Sequence, residues 1–184
     1  MIGSLLIREA TVADAASIAR VRIDTWKSAY AGIIPAEHLA SLSHEEYAQR
    51  LQERINSIQP EQFLLVAETQ GEIVGFAYGG PERSGDDVYR GEIYALYVLP
   101  AYQRRGIGRK LVGASARRLR QAGMSNLLIW ALAANPFRQF YEAVGGQPVR
   151  ARGVEIGGVW LQGVGYGWPD LRPLAAIGLD EKAP

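Results

Sequence analysis

The stretch "PAYQRRGIGRKL", residues 100–111, combines three arginines with two glycines in a few positions: Arg104, Arg105, Gly106, Gly108 and Arg109. A strand-like apolar run, "EIYALYVL", precedes it, and a helix-like run, "LVGASARRLRQAG", follows it. A helix N-terminus presents unpaired amides and a positive dipole end, and glycine lets an anion approach them. Arginines beside such a turn add charge and forked donors. The stretch therefore predicts a phosphate site, most simply for pyrophosphate; a tight turn with solvated arginines is the alternative.

Two familiar phosphate motifs do not fit this stretch. A Walker A loop requires G-K-S or G-K-T, and neither occurs here. The dinucleotide fingerprint G-x-G-x-x-G requires a third glycine where Leu111 stands. A nucleotide-binding phosphotransferase is therefore a distant candidate.

Composition limits the class of protein. The chain has 184 residues, 48% apolar and 21% charged, which suits one globular domain with a real core. A net charge of +1 argues against a general nucleic-acid partner. The chain has no cysteine, which excludes disulfides, thiolate metal sites and a cysteine nucleophile. His38 and His44 are the only histidines, so we expect no metal site.

The sequence also bears on location. No uninterrupted apolar run approaches the roughly 20 residues that a membrane span needs. The N-terminus lacks the basic start and apolar run of a signal peptide. We therefore expect a cytoplasmic protein without a membrane partner.

Hydrophobic periodicity gives the element order β-α-α-β-β-β-α-β-α-β-β. The two apolar runs around "ETQGE" predict a hairpin, and the strand-helix-strand unit over residues 88–134 predicts one parallel pair. In "NPFRQFYEAVGG", we expect Asn135 to cap a short helix that ends at Gly145. The prediction is an α/β (α+β) fold with helices on a mixed sheet. One domain spans residues 3–172, and residues 173–184 form a tail.

Two motifs on the predicted elements resemble a known family. "YVLPAYQRRGIGRKLV" is similar to the acetyl-CoA signature Q/R-x-x-G-x-G/A of the GNAT N-acetyltransferases, through Gln103, Gly106 and Gly108. "NPFRQFYEAVGG" resembles the second signature of that family. The opening helix with Trp26 and Tyr30, followed by "AGIIP", resembles a common bacterial subgroup. The resemblance covers nearly the whole chain and implies about seven strands, mostly antiparallel. It also implies a V-shaped split between the two central parallel strands and about four helices on both faces.

The resemblance implies how acetyl-CoA would bind. The turn from Arg104 to Arg109, which includes Ile107, would hold the CoA pyrophosphate through its amides. The backbone of the strand before it would pair with the pantetheine arm through Leu96, Tyr97 and Val98. An amide near Val98 would face the thioester carbonyl, where negative charge develops. Asn135 would bind the pantetheine arm or CoA, although a capping role alone also explains it.

Two residues stand where the family has its acid and base. Glu92 aligns with the catalytic glutamate of the histone-acetyltransferase branch; its alternative is a solvated carboxylate or a pair with Arg90. Tyr141 matches the tyrosine near the CoA sulfur; its alternative is a core aromatic residue. We expect three further aromatic residues to line the acceptor pocket or, equally well, to pack in the core: Trp26, Tyr30 and Tyr94.

The predicted function is N-acetylation of a primary amine on a small molecule or peptide. Without a cysteine, direct attack in a ternary complex is the simplest mechanism. A non-catalytic CoA-binding sensor or scaffold is the alternative, but such a protein would need neither Glu92 nor Tyr141. The family is often dimeric, so a homodimer is a further expectation, with the tail after Trp168 as a candidate contact.

Overall fold

Seven strands form one sheet in the computed structural model, which describes residues 4–178. The strand order is β1-β2-β3-β4-β5-β7-β6. The strands are β1 (Leu5–Glu9), β2 (Phe63–Thr69), β3 (Glu72–Pro81), β4 (Gly91–Val98), β5 (Leu127–Leu132), β6 (Gln147–Ile156) and β7 (Val159–Trp168). The helices within this range are α1 (Ala15–Ala29), α2 (Ala36–Ser41), α3 (His44–Asn56), α4 (Ile107–Gln121), α5 (Gln139–Ala143) and α6 (Arg172–Ala176). The predicted order of strands and of the helices between them is confirmed, with one further helix before β2 and one after β7.

The sheet opens between its two central strands. All neighbouring strands pair antiparallel except β4 and β5, which are parallel. These two pair only where Gly91–Ile93 meets Leu127–Ile129, and their pairing stops there. The predicted mixed, mostly antiparallel sheet with a V-shaped split is therefore confirmed. The split exposes backbone hydrogen-bonding groups on the last residues of β4.

The helices lie on both faces of the sheet. The Tyr97 hydroxyl on β4 accepts a hydrogen bond from Trp26 of α1. The side chain of the next residue, Val98, points to the other face, where it and Leu111 of α4 lie against Gly75. Since successive side chains of a strand point to opposite faces, α1 and α4 cover opposite faces of the sheet. The main core contains α1, α4 and the central strands, including Ile18, Val66, Leu111 and Leu127.

A β-bulge interrupts β4 at Tyr94. Ala95 is opposite Tyr78 on β3, but Ile93 is opposite Gly79, so Tyr94 is the extra residue. The Tyr94 ring still contacts the Tyr78 ring, with centroids 4.9 Å apart. Without a bulge, the alternation of side chains along a strand would place Glu92, Tyr94 and Leu96 on one face. The bulge instead places Glu92, Tyr94 and Tyr97 on the α1 face, and Leu96 on the α4 face.

The helix around "NPFRQFYEAVGG" starts later than predicted. α5 begins at Gln139, so Asn135 is not its N-cap. The Asn135 side chain instead accepts a hydrogen bond from the Phe137 amide at 2.8 Å, at the start of a series of turns. Pro136 has no amide hydrogen to donate, and the first bonds after it are of the shorter i→i−3 type, from Arg138, Phe140 and Tyr141. Gly145, with φ 90°, follows the helix as expected.

Two elements raise the helix number above the expected four. The polar stretch after Pro35 forms two helices, α2 and α3, where the predicted order has one. The predicted tail contains most of α6, whose Leu174 and Ala175 are buried. Arg117 of α4 binds this segment by donating to Ala175 O at 2.9 Å. The domain boundary at residue 172 stays a prediction, and residues 3 and 179–184 lie outside the described residues.

The histidines have structural contacts in the described part of the chain. His44 contacts Asp24, with Nε2 2.9 Å from Oδ1, and His38 packs beside Gly157. Among residues 4–178, no group of three or more histidines and acidic residues is arranged as a metal site would be. Over the same range, no helix has both the length and the apolar character to span a membrane.

Candidate functional site

The turn before α4 presents open backbone amides. Arg104 and Gly106 have positive φ angles of 59° and 80°. The first bond of the helix is from the Lys110 amide to Gly106 O, at 3.0 Å. The amides at positions 105–109 have no hydrogen-bond acceptor within the described residues. Successive open amides in such a conformation are typical of an anion-binding concavity. The phosphate site at this turn stays a prediction.

The two glycines of this turn serve different purposes. A side chain on Gly106 would meet no atom within 4 Å, but the left-handed φ of 80° is strained for other residues. A Cβ on Gly108 would lie 3.3 Å from the Phe140 ring. Gly108 therefore allows the close approach of α4 to α5, whereas Gly106 permits the turn itself.

Side chains hold the turn and surround it with charge. Gln103 donates through Nε2 to Val98 O at 2.9 Å, which joins the turn to the end of β4. The Arg105 guanidinium lies 5.4 Å from the centre of the Tyr102 ring, and Tyr102 donates to Glu72 at 2.7 Å. Arg104, Arg105 and Arg109 are exposed. An anion at the amides would therefore meet several exposed cations.

The backbone of β4 turns two of the three residues predicted to pair with the pantetheine arm, Leu96 and Val98, toward the split, but not Tyr97. The Leu99 amide donates to Val74 O on β3 at 2.9 Å. Because backbone groups of successive strand residues alternate between the two edges, the Val98 and Leu96 amides point toward the split. The Tyr97 backbone points to β3, so its contribution to the site is its side chain.

Tyr141 lies in the core beside the split. It is 9% exposed and stacks on Tyr166, with centroids 5.2 Å apart. Within residues 4–178 its hydroxyl has no hydrogen-bond partner. Burial, with a smaller effect of the neighbouring Tyr97 and Tyr30, raises the pKa of Tyr141 well above that of a free tyrosine. The residue therefore carries a neutral, unpaired donor at physiological pH.

An aromatic wall, defined here as Trp26, Tyr30 and Tyr97, runs along the split on the α1 face. Trp26 Nε1 donates to the Tyr97 hydroxyl at 2.9 Å, and the Trp26 and Tyr30 rings are 5.2 Å apart. Asn135 Nδ2 donates to the Tyr30 hydroxyl at 3.1 Å. Two of the predicted acceptor residues thus come together with Tyr97 and Asn135. Burial raises the pKa of both Tyr30 and Tyr97, so their hydroxyls are neutral as well.

Glu92 is buried, 3% exposed, and bound by Arg83 of the loop before β4. Arg83 Nη2 lies 2.6 Å from Glu92 Oε1, and Arg83 Nε and its backbone amide each donate to Oε2 at 3.1 Å. The alternative pair with Arg90 is wrong, since Arg83 is the partner. These three donors occupy most of the lone pairs that a base would use.

Tyr94 belongs to this second group rather than to the aromatic wall. The Arg83 guanidinium lies 3.8 Å from the centre of its ring, and its hydroxyl donates to Pro81 O at 2.5 Å. Burial raises the pKa of Tyr94 to about 12. The predicted acceptor residues therefore fall into two groups on one face of the sheet.

Sequence reasoning missed Arg22 and Arg83. Arg22 precedes Trp26 by one helical turn, a spacing that places both side chains on the same side of α1. The pattern could therefore have linked Arg22 to Trp26 once Trp26 was a candidate. Arg83 lies in "PERSGDD", and only the folded loop reveals its partner.

Comparisons with known proteins point to one family. The model of the Acetyltransferase (GNAT) family matches residues 23–145. A protein of Bacillus subtilis strain 168, named an uncharacterized N-acetyltransferase, YuaI, is 37% identical over 171 residues, covering 93% of this chain and 96% of that protein.

Solved structures share the fold. PaiA N-acetyltransferase from Thermoplasma acidophilum, in complex with coenzyme A, superposes with a TM-score of 0.70 at 22% identity, covering 87% of this chain and 98% of that one. The structure of yncA from Salmonella typhimurium with its cofactor acetyl-CoA gives a TM-score of 0.66 at 24% identity, covering 99% and 98%.

Proposed function

The chain belongs to the GNAT family of acetyltransferases, and from this premise we propose that it acetylates a primary amine of a small molecule or peptide. Family membership makes it an acetyl-CoA-dependent acyltransferase. The amine acceptor and the direct attack in a ternary complex are our proposal. Catalysis is favoured over the alternative of a passive CoA-binding module because the relatives are named N-acetyltransferases.

One observation carries the proposal: the split between β4 and β5 has a donor from each side. The Val98 amide on β4 points toward the split, and the unpaired Tyr141 hydroxyl is on α5, which follows β5. A thioester needs a donor for its carbonyl oxygen and another for its leaving sulfur. Val98 and Tyr141 are the residues that we assign to these two tasks.

The residues for CoA fit its chemistry. The open amides at positions 105–109 suit a pyrophosphate, and the exposed Arg104, Arg105 and Arg109 add positive charge. The free edge of β4 at Leu96 and Val98 suits the amides of the pantetheine arm. Asn135, which already binds Tyr30 and Phe137, is assigned to holding the wall beside that arm.

In the proposed reaction, the amine nitrogen forms a bond to the acetyl carbon and the carbon–sulfur bond breaks. The amine loses a proton, and the leaving sulfur gains one. Tyr141 donates to the sulfur, since its raised pKa keeps the hydroxyl protonated. The balance therefore requires a separate acceptor for the amine proton.

We assign the amine proton to Glu92. An ionised carboxylate has about four lone-pair sites, and Arg83 uses three of them. One site remains to accept a proton, directly or through water. The bulge at Tyr94 supports this assignment, since it keeps Glu92 on the same face as the aromatic wall.

Binding and turnover can be tested separately. Saturating acetyl-CoA or CoA, at about 100 times its dissociation constant, should stabilise the protein by roughly 2.7 kcal/mol and raise its Tm. Release of free CoA from acetyl-CoA should then depend on an amine drawn from a panel of amino acids, polyamines, amino sugars and peptides. A folded protein with no Tm shift, or a shift without amine-dependent release, would contradict the proposal.

A further inference from the structure

Arg22 on α1 is a half-buried cation surrounded by aromatic rings. Its guanidinium carbon lies 4.9 Å from the ring centre of Tyr47, 5.0 Å from that of Trp26 and 5.8 Å from that of Tyr97. Across residues 4–178 its side chain makes no hydrogen bond or ion pair. Arg20, two residues earlier on the same helix, does pair, with Glu72 at 2.8 Å.

The acidic groups near Arg22 along the chain and across the site do not neutralise it. Asp24 contacts His44 at 2.9 Å, and Glu92 is bound by Arg83 at 2.6 Å. Glu45 and Glu46 begin α3, but both are exposed and make no ion pair within the described residues. A positive charge is thus left uncompensated on the α1 face of the sheet.

An arginine stacked on aromatic rings is prepared to bind a planar anion. Contact with aromatic rings restricts the motion of a guanidinium, while the N–H groups at the edge of its plane remain able to donate. A carboxylate matches this edge with two parallel hydrogen bonds. Partial burial removes water from the pair and thereby strengthens it.

Arg22 belongs to the same cleft as the reacting groups. It contacts Trp26 and Tyr97, two residues of the aromatic wall. The wall continues through Tyr30 to Asn135, which precedes the helix that carries Tyr141. Tyr97 lies between Leu96 and Val98, whose amides point toward the split. A molecule bound to the N–H edge of Arg22 is therefore placed beside the split.

We propose that Arg22 binds a carboxylate of the acceptor, so that the acceptor is an amine of the amino-acid type. The inference rests on the proposed function and narrows its substrate class. The amine nitrogen gains the acetyl group and loses a proton, the CoA sulfur gains a proton, and the carboxylate is unchanged. Peptides without a carboxylate near the amine are then poor acceptors.

A purely structural role is the competing explanation. Arg22 joins α1 to α3 through Tyr47 and to β4 through Tyr97. Loss of such a contact would lower stability and reduce activity toward all acceptors alike. The ratio of activity between matched acceptors separates the two roles, because a structural defect does not change it.

The test uses free amino acids and their carboxamides, with each kcat/KM divided by the fraction of unprotonated amine, because amidation also lowers the pKa of the α-amine. CoA release would be followed for the wild type, Arg22→Met, Arg22→Lys and the exposed α3 control Arg50→Met. We expect the wild type to favour the carboxylates by roughly 10- to 100-fold in kcat/KM, as for hydrogen bonds to charged groups. Arg22→Met should bring the ratio near one, Arg22→Lys should fall between, and Arg50→Met should keep the wild-type ratio.

Each outcome decides the inference. A wild-type ratio near one overturns the inference, and so does an Arg22→Met variant that loses activity toward both acceptor types equally. Either result leaves the proposed amine acetylation intact. Turnover with polyamines or amino sugars but with no amino acid overturns it in the same way. If Arg22→Met does not fold, the inference is decided by the ratios of activity toward carboxylates and carboxamides in the wild type and in Arg22→Lys. A protein that turns over no amine at all rejects the proposed function itself, and the inference with it.

Discussion

Arg83 and Glu92 are joined by three hydrogen bonds that use both carboxylate oxygens. Glu92 has a side chain only 4% exposed, whereas that of Arg83 is 56% exposed. A buried carboxylate assigned to proton transfer is therefore controlled by a residue of a surface loop. This arrangement predicts that Arg83, although outside the family motifs, affects the pH dependence of the reaction.

Glu92→Gln should lower the rate most at low pH, where the free amine is scarce, and should recover partly as pH rises. Loss of a general base typically costs about 10²–10⁴-fold. The measurement is a pH–rate profile for the wild type and the variant with one acceptor. An unchanged profile would assign the base role to water or to another residue.

Arg83→Gln serves as the companion variant. It removes the charged side-chain donors but keeps the backbone amide bond to Glu92. We expect Arg83→Gln to shift the pH–rate profile when Glu92 is present. In the Glu92→Gln background it should cause no shift, because the effect requires the Glu92 carboxylate. Equal shifts in both backgrounds would mean that Arg83 acts elsewhere.

Tyr141→Phe should reduce kcat by roughly 10²-fold or more, with a nearly unchanged dissociation constant for acetyl-CoA. The variant removes an oxygen that has no partner within residues 4–178, so packing against Tyr166 should survive. The loss should shrink with an acyl donor whose leaving thiol is more acidic. Tyr166→Phe is the matched control, since its hydroxyl makes only a long 3.5 Å contact to Glu142. A kcat within about twofold of wild type would make Tyr141 a packing residue.

Arg105→Glu should weaken CoA binding strongly and make it less sensitive to salt. The Arg105 charge is exposed beside the open amides of the turn, and ions in solution screen such a charge. Isothermal titration at two or more salt concentrations measures both effects. Arg50→Glu, which makes the same charge change on α3, should leave CoA binding unaltered. If both variants bind like the wild type, the amides alone hold the anion.

Asp14→Asn should destabilise the protein at neutral pH by about 1–2 kcal/mol. Hydrogen bonds from Arg8, with others from Thr11, lower the pKa of Asp14 from 3.8 to about 2. A carboxyl whose pKa is lower in the folded state than in the unfolded state stabilises the fold at pH values above its unfolded-state pKa. This stabilisation is lost as the pH falls through the folded-state pKa. The difference between the variant and the wild type should therefore shrink from about pH 4 toward pH 2 in urea unfolding. Asp170→Asn, at an exposed pair with Arg172, should change stability little. A constant Asp14→Asn effect across that pH range would contradict the assignment.

Local sequence patterns were sufficient to predict the framework of the site. The apolar run of β4, the glycines at positions 106 and 108 and the amphipathic α4 are contiguous, so the strand-turn-helix unit is visible in sequence. The same holds for the hairpin of β2 and β3, because a glycine turn between apolar runs is a short-range signal. The predicted residues of the turn lie together in the structure for this reason.

Long-range contacts and backbone register could not be predicted from local sequence patterns. The partner of Glu92 depends on how a loop folds back, so Arg90, two residues away in sequence, was a reasonable but wrong alternative. The start of α5 at Gln139 depends on a series of turns after Pro136 that capping rules do not describe. Arg22 is recognisable as an uncompensated charge only when the positions of all nearby acids are known.

The bulge at Tyr94 has a consequence for how this enzyme can diverge. The extra residue reverses the alternation of side chains along β4. Even-numbered residues before it and odd-numbered residues after it lie on the α1 face. In the function that we propose, the first half presents Glu92 and Tyr94 to the acceptor, while the second half carries the Leu96 and Val98 amides for the acyl donor. Substitutions before the bulge can therefore change acceptor selectivity while the backbone edge used by every donor molecule stays the same.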